Sequence, residues 1–361
     1  MSGWGRLIGV LLVGLLAVTM STGPAPGAEK LKVAFVYVGP VGDAGWTYAH
    51  DQGRLYLERH DTNVTTTKVE SVPEGADSER VFTDLARKGY KLIIGTSFGY
   101  MDPMVKVASE FPHVDFVHIS GFKRAENLMT AFGRIEQPRY LTGLVAGSMT
   151  KSNIIGYVAA HPIPEVVRGI DAFTLGVRAA NPKATVHVVW SNTWYDPAQE
   201  KEAADSLLSV GADVLTQHQD SAATVQAAAA AGKYAVGYNS DMSKFGPKAF
   251  LTSPVWNWGP MYVYITQQVE AGTFKGTDLW WGMDKGVVDI APLGPMVPAA
   301  VRAKVMAKRQ AIIAGKFNEF AGPIKDQGGT TRISAGGALG DSAQLSLNWF
   351  VQGVVGTIPA K

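Results

Sequence analysis

Cysteine is absent from all 361 residues. Its absence excludes disulfides, thiolate metal sites, a cysteine nucleophile and the lipid-modified cysteine of an anchored lipoprotein. An excess of one charge is missing too, since 33 Lys and Arg stand against 31 Asp and Glu. Setting aside Arg6, in the N-terminal leader, leaves 32 − 31 = +1. With no basic run or patch, the chain carries no electrostatic footprint for nucleic acid. Beyond residue 27 no apolar run is long enough to span a bilayer. There is no G-x-G-x-x-G dinucleotide fingerprint, no G-x-x-x-x-G-K-[ST] phosphate loop and no H-E-x-x-H zinc pair. No cofactor is called for.

Residues 1–27 read as a leader rather than as part of the fold. Arg6 is their only charge, Leu7 to Met20 is apolar, and Ala25-Pro26-Gly27 supplies small residues for cleavage. That pattern predicts a secretory signal peptide. A membrane anchor is the alternative, but the apolar core is short for a spanning helix. The expectation is a cleaved, exported protein in the periplasm without a lipid anchor.

The chain is organised around Leu31 to Gln52, LKVAFVYVGPVGDAGWTYAHDQ. Its near-continuous apolar start reads as a buried parallel strand. Gly39, Pro40, Gly42 and Gly45 then turn the backbone, and a helix follows, with Asp43 placed to cap it. Open α/β folds bind ligands at such strand ends. An acid in the turn disfavours phosphate and favours a neutral or cationic ligand, with Trp46 offering an aromatic plane.

Strands and helices alternate from there. VTTTKVESV (64–72), KLIIGTSF (91–98) and DFVHIS (115–120) read as strands, and 77–87, 101–110 and 136–149 as helices. The rhythm restarts at NIIGYVAA (153–160) and continues through ATVHVVWSN, ADVLTQHQD and YAVGYNSD, with helices between. A helix from about Trp256 to Ala271 returns to the first series, LWWGMDKGVVDI leads back toward the second, and helix 298–314 precedes a Gly-rich tail. The reading is α/β: two doubly wound parallel-sheet lobes joined by a multi-crossover hinge. The N-terminal lobe takes 28–150 plus about 253–280, and the C-terminal lobe 151–252 plus about 281–361.

Several ordered segments carry a resemblance: KLKVAFVYVGPVGDAGWTYAHDQGR, TSFGYMDP, IPEVVRGIDAFTLG, NTWYDPAQE, TQHQDSAATVQAA and WWGMDKGVVDIAPL. They resemble the basic membrane protein (Bmp) family of substrate-binding proteins for ABC importers, over nearly all of the chain after the leader. The resemblance implies a type I periplasmic-binding-protein fold and a purine nucleoside or nucleobase as ligand. The tryptophans make this chain similar to members that hold a free base such as adenine. It also implies, as partners, an ABC transporter permease and its ATPase, with the receptor itself a monomer.

Candidate ligand-binding residues follow the strand ends. Trp46 and Trp194, one from each lobe, sit where the family carries aromatic stackers and would sandwich a planar ring; Asn192 lies beside Trp194. Asp43 has two roles open to it, capping its helix and accepting from a ring N–H or exocyclic amine. Ser97, Phe98, Gly99 and Tyr100 follow the third strand. Gln217 and His218 alternate across their strand, so only one can face a pocket; Gln217 is the ligand candidate and His218 the structural one, with Asp220 as a helix cap. In nucleoside-binding relatives an acid matching Asp241 holds ribose hydroxyls, helped by a lysine in a later glycine turn. Here that turn is Met283-Asp284-Lys285-Gly286, and Lys285 is one place along. The shift favours a free base. No metal site is expected.

Two other function classes remain at this stage. A secreted nucleoside-processing hydrolase would need paired carboxylates, and Asp43 and Asp241 come from opposite lobes. A chemosensory binding protein would share the pocket and differ only in its partner.

Overall fold

The computed structural model describes Met1 and residues 29–359. The expected signal peptide falls on residues outside the described ones. Everything from Leu31 onward forms one unit.

Apolar runs buried on both faces make most of the first strands; VTTTKV (64–69) is polar and only partly buried. β1 (Leu31–Val36), β2 (Val64–Val69), β3 (Leu92–Gly95), β4 (Asp115–Ile119) and β5 (Leu128–Gly133) alternate with α1 (Trp46–His60), α2 (Ala76–Arg87) and α3 (Met101–Glu110). α4 (Glu136–Met149) leads to the second series: β6 (Ile154–Ala159), α5 (Pro164–Ala180), β7 (Thr185–Trp190), α6 (Pro197–Ser209), β8 (Val214–Gln217), α7 (Ala223–Ala230) and β9 (Tyr234–Val236). β10 (Phe250–Thr252), β11 (Pro254–Trp256), α8 (Gly259–Glu270), β12 (Asp278–Trp281) and β13 (Val288–Ile290) follow. α9 (Ala299–Ile313), β14 (Ile324–Lys325), β15 (Thr331–Ile333), α10 (Asp341–Leu345) and β16 (Val354–Val355) end the chain.

Two six-stranded sheets result, in the orders β12-β5-β4-β3-β1-β2 and β10-β9-β8-β6-β7-β16. Every pairing within them is parallel. Parallel sheets need cover on both faces, which the intervening helices supply. The chain crosses between the sheets after β5, after β10 and after β12. The antiparallel ribbon β11–β13 lies in this crossover region.

Three sequence expectations need correction. Trp256 is not helical: it pairs with Val288 in the ribbon, and the helix starts at Gly259, where Pro260 suits the first turn. The strand read through Asp241 stops at Val236. Residues 278–281 do not leave the first sheet; they form its edge beside β5.

The α4–α5 contact depends on small residues. A β-carbon at Gly143 would sit 2.1 Å from the Phe173 carbonyl oxygen, and one at Gly176 would sit 2.1 Å from that of Tyr140. Neither backbone can yield without parting the helices. Gly143→Ala or Gly176→Ala should therefore each cost about 1–3 kcal/mol or more. Urea unfolding should show a lower midpoint at unchanged slope. An unmoved midpoint in both variants would mean that the two helices do not pack this closely.

Candidate functional site

The two sheets turn their strand carboxyl ends toward one cavity. Its wall takes Val38, Trp46, Ser97, Phe98 and Ser120 from loops after β1, β3 and β4. From the other side come Glu165 at the start of α5, Trp194 after β7, His218 and Asp220 after β8, and Tyr238 after β9. A second cavity adjoins it, sharing Phe98, Ser120 and Glu165 and reaching Arg124, Arg168 and Trp280.

Trp46 is held firmly. Its Nε1 donates to the Thr96 carbonyl at 2.5 Å. Its ring stands edge-on to His50 at 4.2 Å, Trp256 at 5.4 Å and Trp258 at 5.7 Å. Trp256 and Trp258 stack on each other at 4.7 Å. His50 stacks on Trp258 at 4.4 Å and faces the Tyr262 hydroxyl at 2.5 Å. Burial pushes His50 well below the usual imidazole range, so this aromatic floor carries no charge.

Asp43 does cap the helix. Oδ1 accepts from Gly45 N at 2.7 Å and Tyr48 N at 2.9 Å, and Oδ2 accepts from Thr47 N at 2.9 Å. Burial outweighs these bonds and raises its carboxyl to about 6. With its acceptors engaged by the backbone, Asp43 sits behind the cavity wall rather than in it.

Other sequence candidates separate in the same way. Trp46, Ser97, Phe98 and Trp194 come together at the cavity. Tyr100 is fully buried, donates to the Val72 carbonyl at 2.6 Å and packs on Phe82. Gly99 gives its N–H to Glu74, which also takes the Ser97 hydroxyl. Gln217 is sealed in, donating to the carbonyls of Gln219 at 3.1 Å and Ser221 at 2.6 Å. It shapes the loop that presents its neighbours. Asn192 is exposed with φ 56°, a left-handed turn position. Asp241 is exposed and accepts from Ser243 N at 2.9 Å, and Lys285 is exposed on a turn after β12. None of these six lines the cavity.

His218 and Asp220, read as structural, lie in the wall together with Glu165 and Tyr238, which the sequence did not single out. His218 Nε2 lies 3.5 Å from Glu165, while burial, then the Arg139 charge, act against that acid and bring the ring to about 4. The ring is neutral at pH 7. Among the described residues, His218 Nδ1, Tyr238 Oη and Trp194 Nε1 have no hydrogen-bond partner. Buried polar atoms without a protein partner call for water or a ligand. Asp220 is also in the wall, with Oδ1 accepting from Asn239 Nδ2 at 3.0 Å. Only the strand-end position of these residues signals them in sequence, because their partners lie far away along the chain.

One hydrolase-like spelling occurs, Gly95-Thr96-Ser97-Phe98-Gly99, after a strand. Ser97 is in ordinary extended geometry, φ −145° and ψ 146°, and its hydroxyl is given to Glu74. The nearest imidazole, His118, places Nε2 2.7 Å from the Ser97 carbonyl rather than its hydroxyl. No serine–histidine relay is built here. No group of His, Asp and Glu that could hold a metal occurs among the described residues.

Residues 30–318 match the Bmp family, described as ABC transporter substrate-binding protein PnrA-like. A purine-binding protein of Brucella abortus is 45% identical over 350 residues, 97% of this chain and all of the relative. A Haloferax volcanii protein named for glucose binding in an ABC transporter is 39% identical, over 94% of this chain and 83% of its own. Among solved structures, an ABC transporter solute-binding protein from Conexibacter woesei aligns with a TM-score of 0.66 at 24% identity. It covers 80% of this chain and 98% of its own. That likeness gives the fold, the type I periplasmic-binding arrangement.

The two walls touch through Gly45. A β-carbon there would lie 2.0 Å from the Asp220 carbonyl oxygen, and beside it Ser240 donates its hydroxyl to the Ala44 carbonyl. Gly45→Ala should hold the lobes apart. Solution scattering should then show a larger radius of gyration for the variant than for the parent when ligand is present. Equal radii would refute this contact as the closing point.

Proposed function

Because the chain belongs to the Bmp family of ABC transporter substrate-binding proteins, we propose that its cleft binds a free purine base of the adenine type. The family is one of solute receptors, not enzymes. The receptor works as a periplasmic monomer, closes over the base and presents the closed form to a permease whose ATPase supplies the energy of transport. The Brucella relative's name supports a purine.

The observation that carries the reading is the wall itself: one indole from each side, Trp46 and Trp194. Base–aromatic stacking contributes roughly 1–3 kcal/mol per base. Two planes then account for a large part of the ~8 kcal/mol of micromolar binding. Ribose finds less here. Asp241 and Lys285, the pair that would serve its hydroxyls, are both exposed and off the cavity. A buried hydroxyl without a partner costs about 1–3 kcal/mol, so the base should outbind its nucleoside by roughly tenfold or more.

Calorimetry with adenine, adenosine and glucose tests the ligand. Adenine should bind most tightly; tighter adenosine would restore a ribose pocket, and tighter glucose would align this chain with the Haloferax relative instead.

Trp194→Ala tests the stack. The ring is half-buried and its indole N–H is unpartnered, so its loss should spare the fold and weaken adenine by roughly 1–3 kcal/mol. Trp46→Ala is the poorer probe, because Trp46 also anchors the aromatic floor. Unchanged affinity in Trp194→Ala would remove the sandwich from the account.

A further inference from the structure

Asp220 is an acid where the cleft closes on other acids. It is 5% exposed, in the cavity wall, and its own carbonyl is the atom that Gly45 approaches. The charged groups acting on it come from three elements: Asp43 before α1, Glu200 on α6 and Glu165 on α5. All are acids. Its loop neighbour His218 is neutral. The cation beneath the loop, Arg139 of α4, faces other groups: Nη1 donates to the Gln217 carbonyl at 2.7 Å, and the guanidinium lies 3.7 Å over the Tyr238 ring.

Of two buried acids that repel each other, the one whose anion receives fewer hydrogen bonds keeps a proton more readily. Asp43 receives three backbone N–H groups at a helix N-terminus, all of which favour its anion. Asp220 receives one neutral amide, that of Asn239. This amide is fixed in orientation because its oxygen accepts from Trp256 Nε1 at 2.9 Å. The proton belongs on Asp220. Burial first, then Asp43 and Glu200, raise its carboxyl well above the usual range.

We infer that Asp220 enters the closed cleft as a neutral carboxylic acid and pairs with the ligand's ring edge through one donor and one acceptor, so that binding takes up a proton. A protonated carboxyl offers an O–H donor and a carbonyl acceptor side by side. The amidine edge of an aminopurine and the lactam edge of an oxopurine each present the matching pair. Independent of the acids, Trp194 lines the same cavity and its buried Nε1 has no partner, which leaves a donor for a polar ring. The inference rests on the purine reading and adds to it the group that reads the ring and its protonation state.

The sign follows from the two states. With the cleft open, Asp220 leaves Asp43, meets water and titrates as an ordinary carboxyl; closed, it holds its proton to higher pH. Affinity is therefore greatest at low pH and falls as pH rises, by up to about tenfold per pH unit while one proton is taken up. Neutral His218 acts oppositely, since a histidine protonated in the open cleft would release its proton on closing.

The test is calorimetry of adenine binding across about pH 5 to 8, at each pH in buffers of different ionisation enthalpy, which counts protons directly. Uptake approaching one proton is expected. Asp220→Asn keeps a donor and an acceptor without a titrating group. It should flatten the profile and bind adenine more tightly than the parent at the alkaline end. Asp220→Ala should be weaker throughout, by roughly tenfold or more. A flat parent profile with no uptake, a slope that persists in Asp220→Asn, or an Asp220→Asn as weak as Asp220→Ala would each overturn the inference while leaving purine binding in place. Absence of binding heat with any purine would instead remove the purine reading, and this inference with it.

Discussion

The cleft closes through a residue that has no side chain. The Asp220 carbonyl occupies the space a β-carbon would take at Gly45, so one sheet's loops reach the backbone of the other rather than a layer of side chains. That approach sets the remaining geometry. Gly45 immediately precedes α1, and the Asp43 carboxylate ties the turn to the first helical N–H groups. Movement of the turn is thereby movement of the helix. Since α8 packs on α1 through Gly53, where a β-carbon would stand 2.7 Å from the Trp258 side chain, the closing contact, the helix pair and the aromatic floor form one mechanical element.

The two walls differ in stiffness. Trp46 is fixed by a hydrogen bond to Thr96 and by edge contacts on several sides, in a floor that burial keeps uncharged. Trp194 is half-buried, meets His161 at 4.7 Å and keeps a free indole N–H. One indole is tied by a hydrogen bond and the other is not.

Much of the fold was legible because its signals are local. The helix at Glu136–Met149 was read with the ends it has. Trp256 defeated the same reasoning, since its strand exists only through a partner at Val288, far along the chain. The candidate site divides similarly. Strand ends locate the loops, so Trp46, Ser97, Phe98 and Trp194 were found at the cavity. They do not say where a side chain aims, so Tyr100 and Gln217 were read toward ligand and lie in the core. Asp220 looked like a helix cap because an acid before a helix usually is one; its actual companions, Asn239 and Asp43, come from other loops. Asp241 failed for a simpler reason, that its strand ended at Val236 and left it in a solvent turn.

The unpartnered indole N–H in the cavity wall also bears on whether an empty cleft closes. Closing without a ring would leave the buried Trp194 Nε1 unpaired, at about 1–3 kcal/mol. It would also bring Asp220, engaged only by the Asn239 amide, against the turn that Asp43 caps. Such costs are large against the few kcal/mol that separate conformers of a hinged protein. A ligand that satisfies these atoms removes the penalty and adds stacking, so its differential affinity for the closed form is built from groups that oppose closure in its absence. A ligand with the bulk of a purine but no hydrogen-bonding edge would gain the stacking and still leave the penalty standing. Affinity and closure are therefore selected by the same atoms, which is what a transporter receptor requires if the permease is to distinguish a loaded molecule from an empty one.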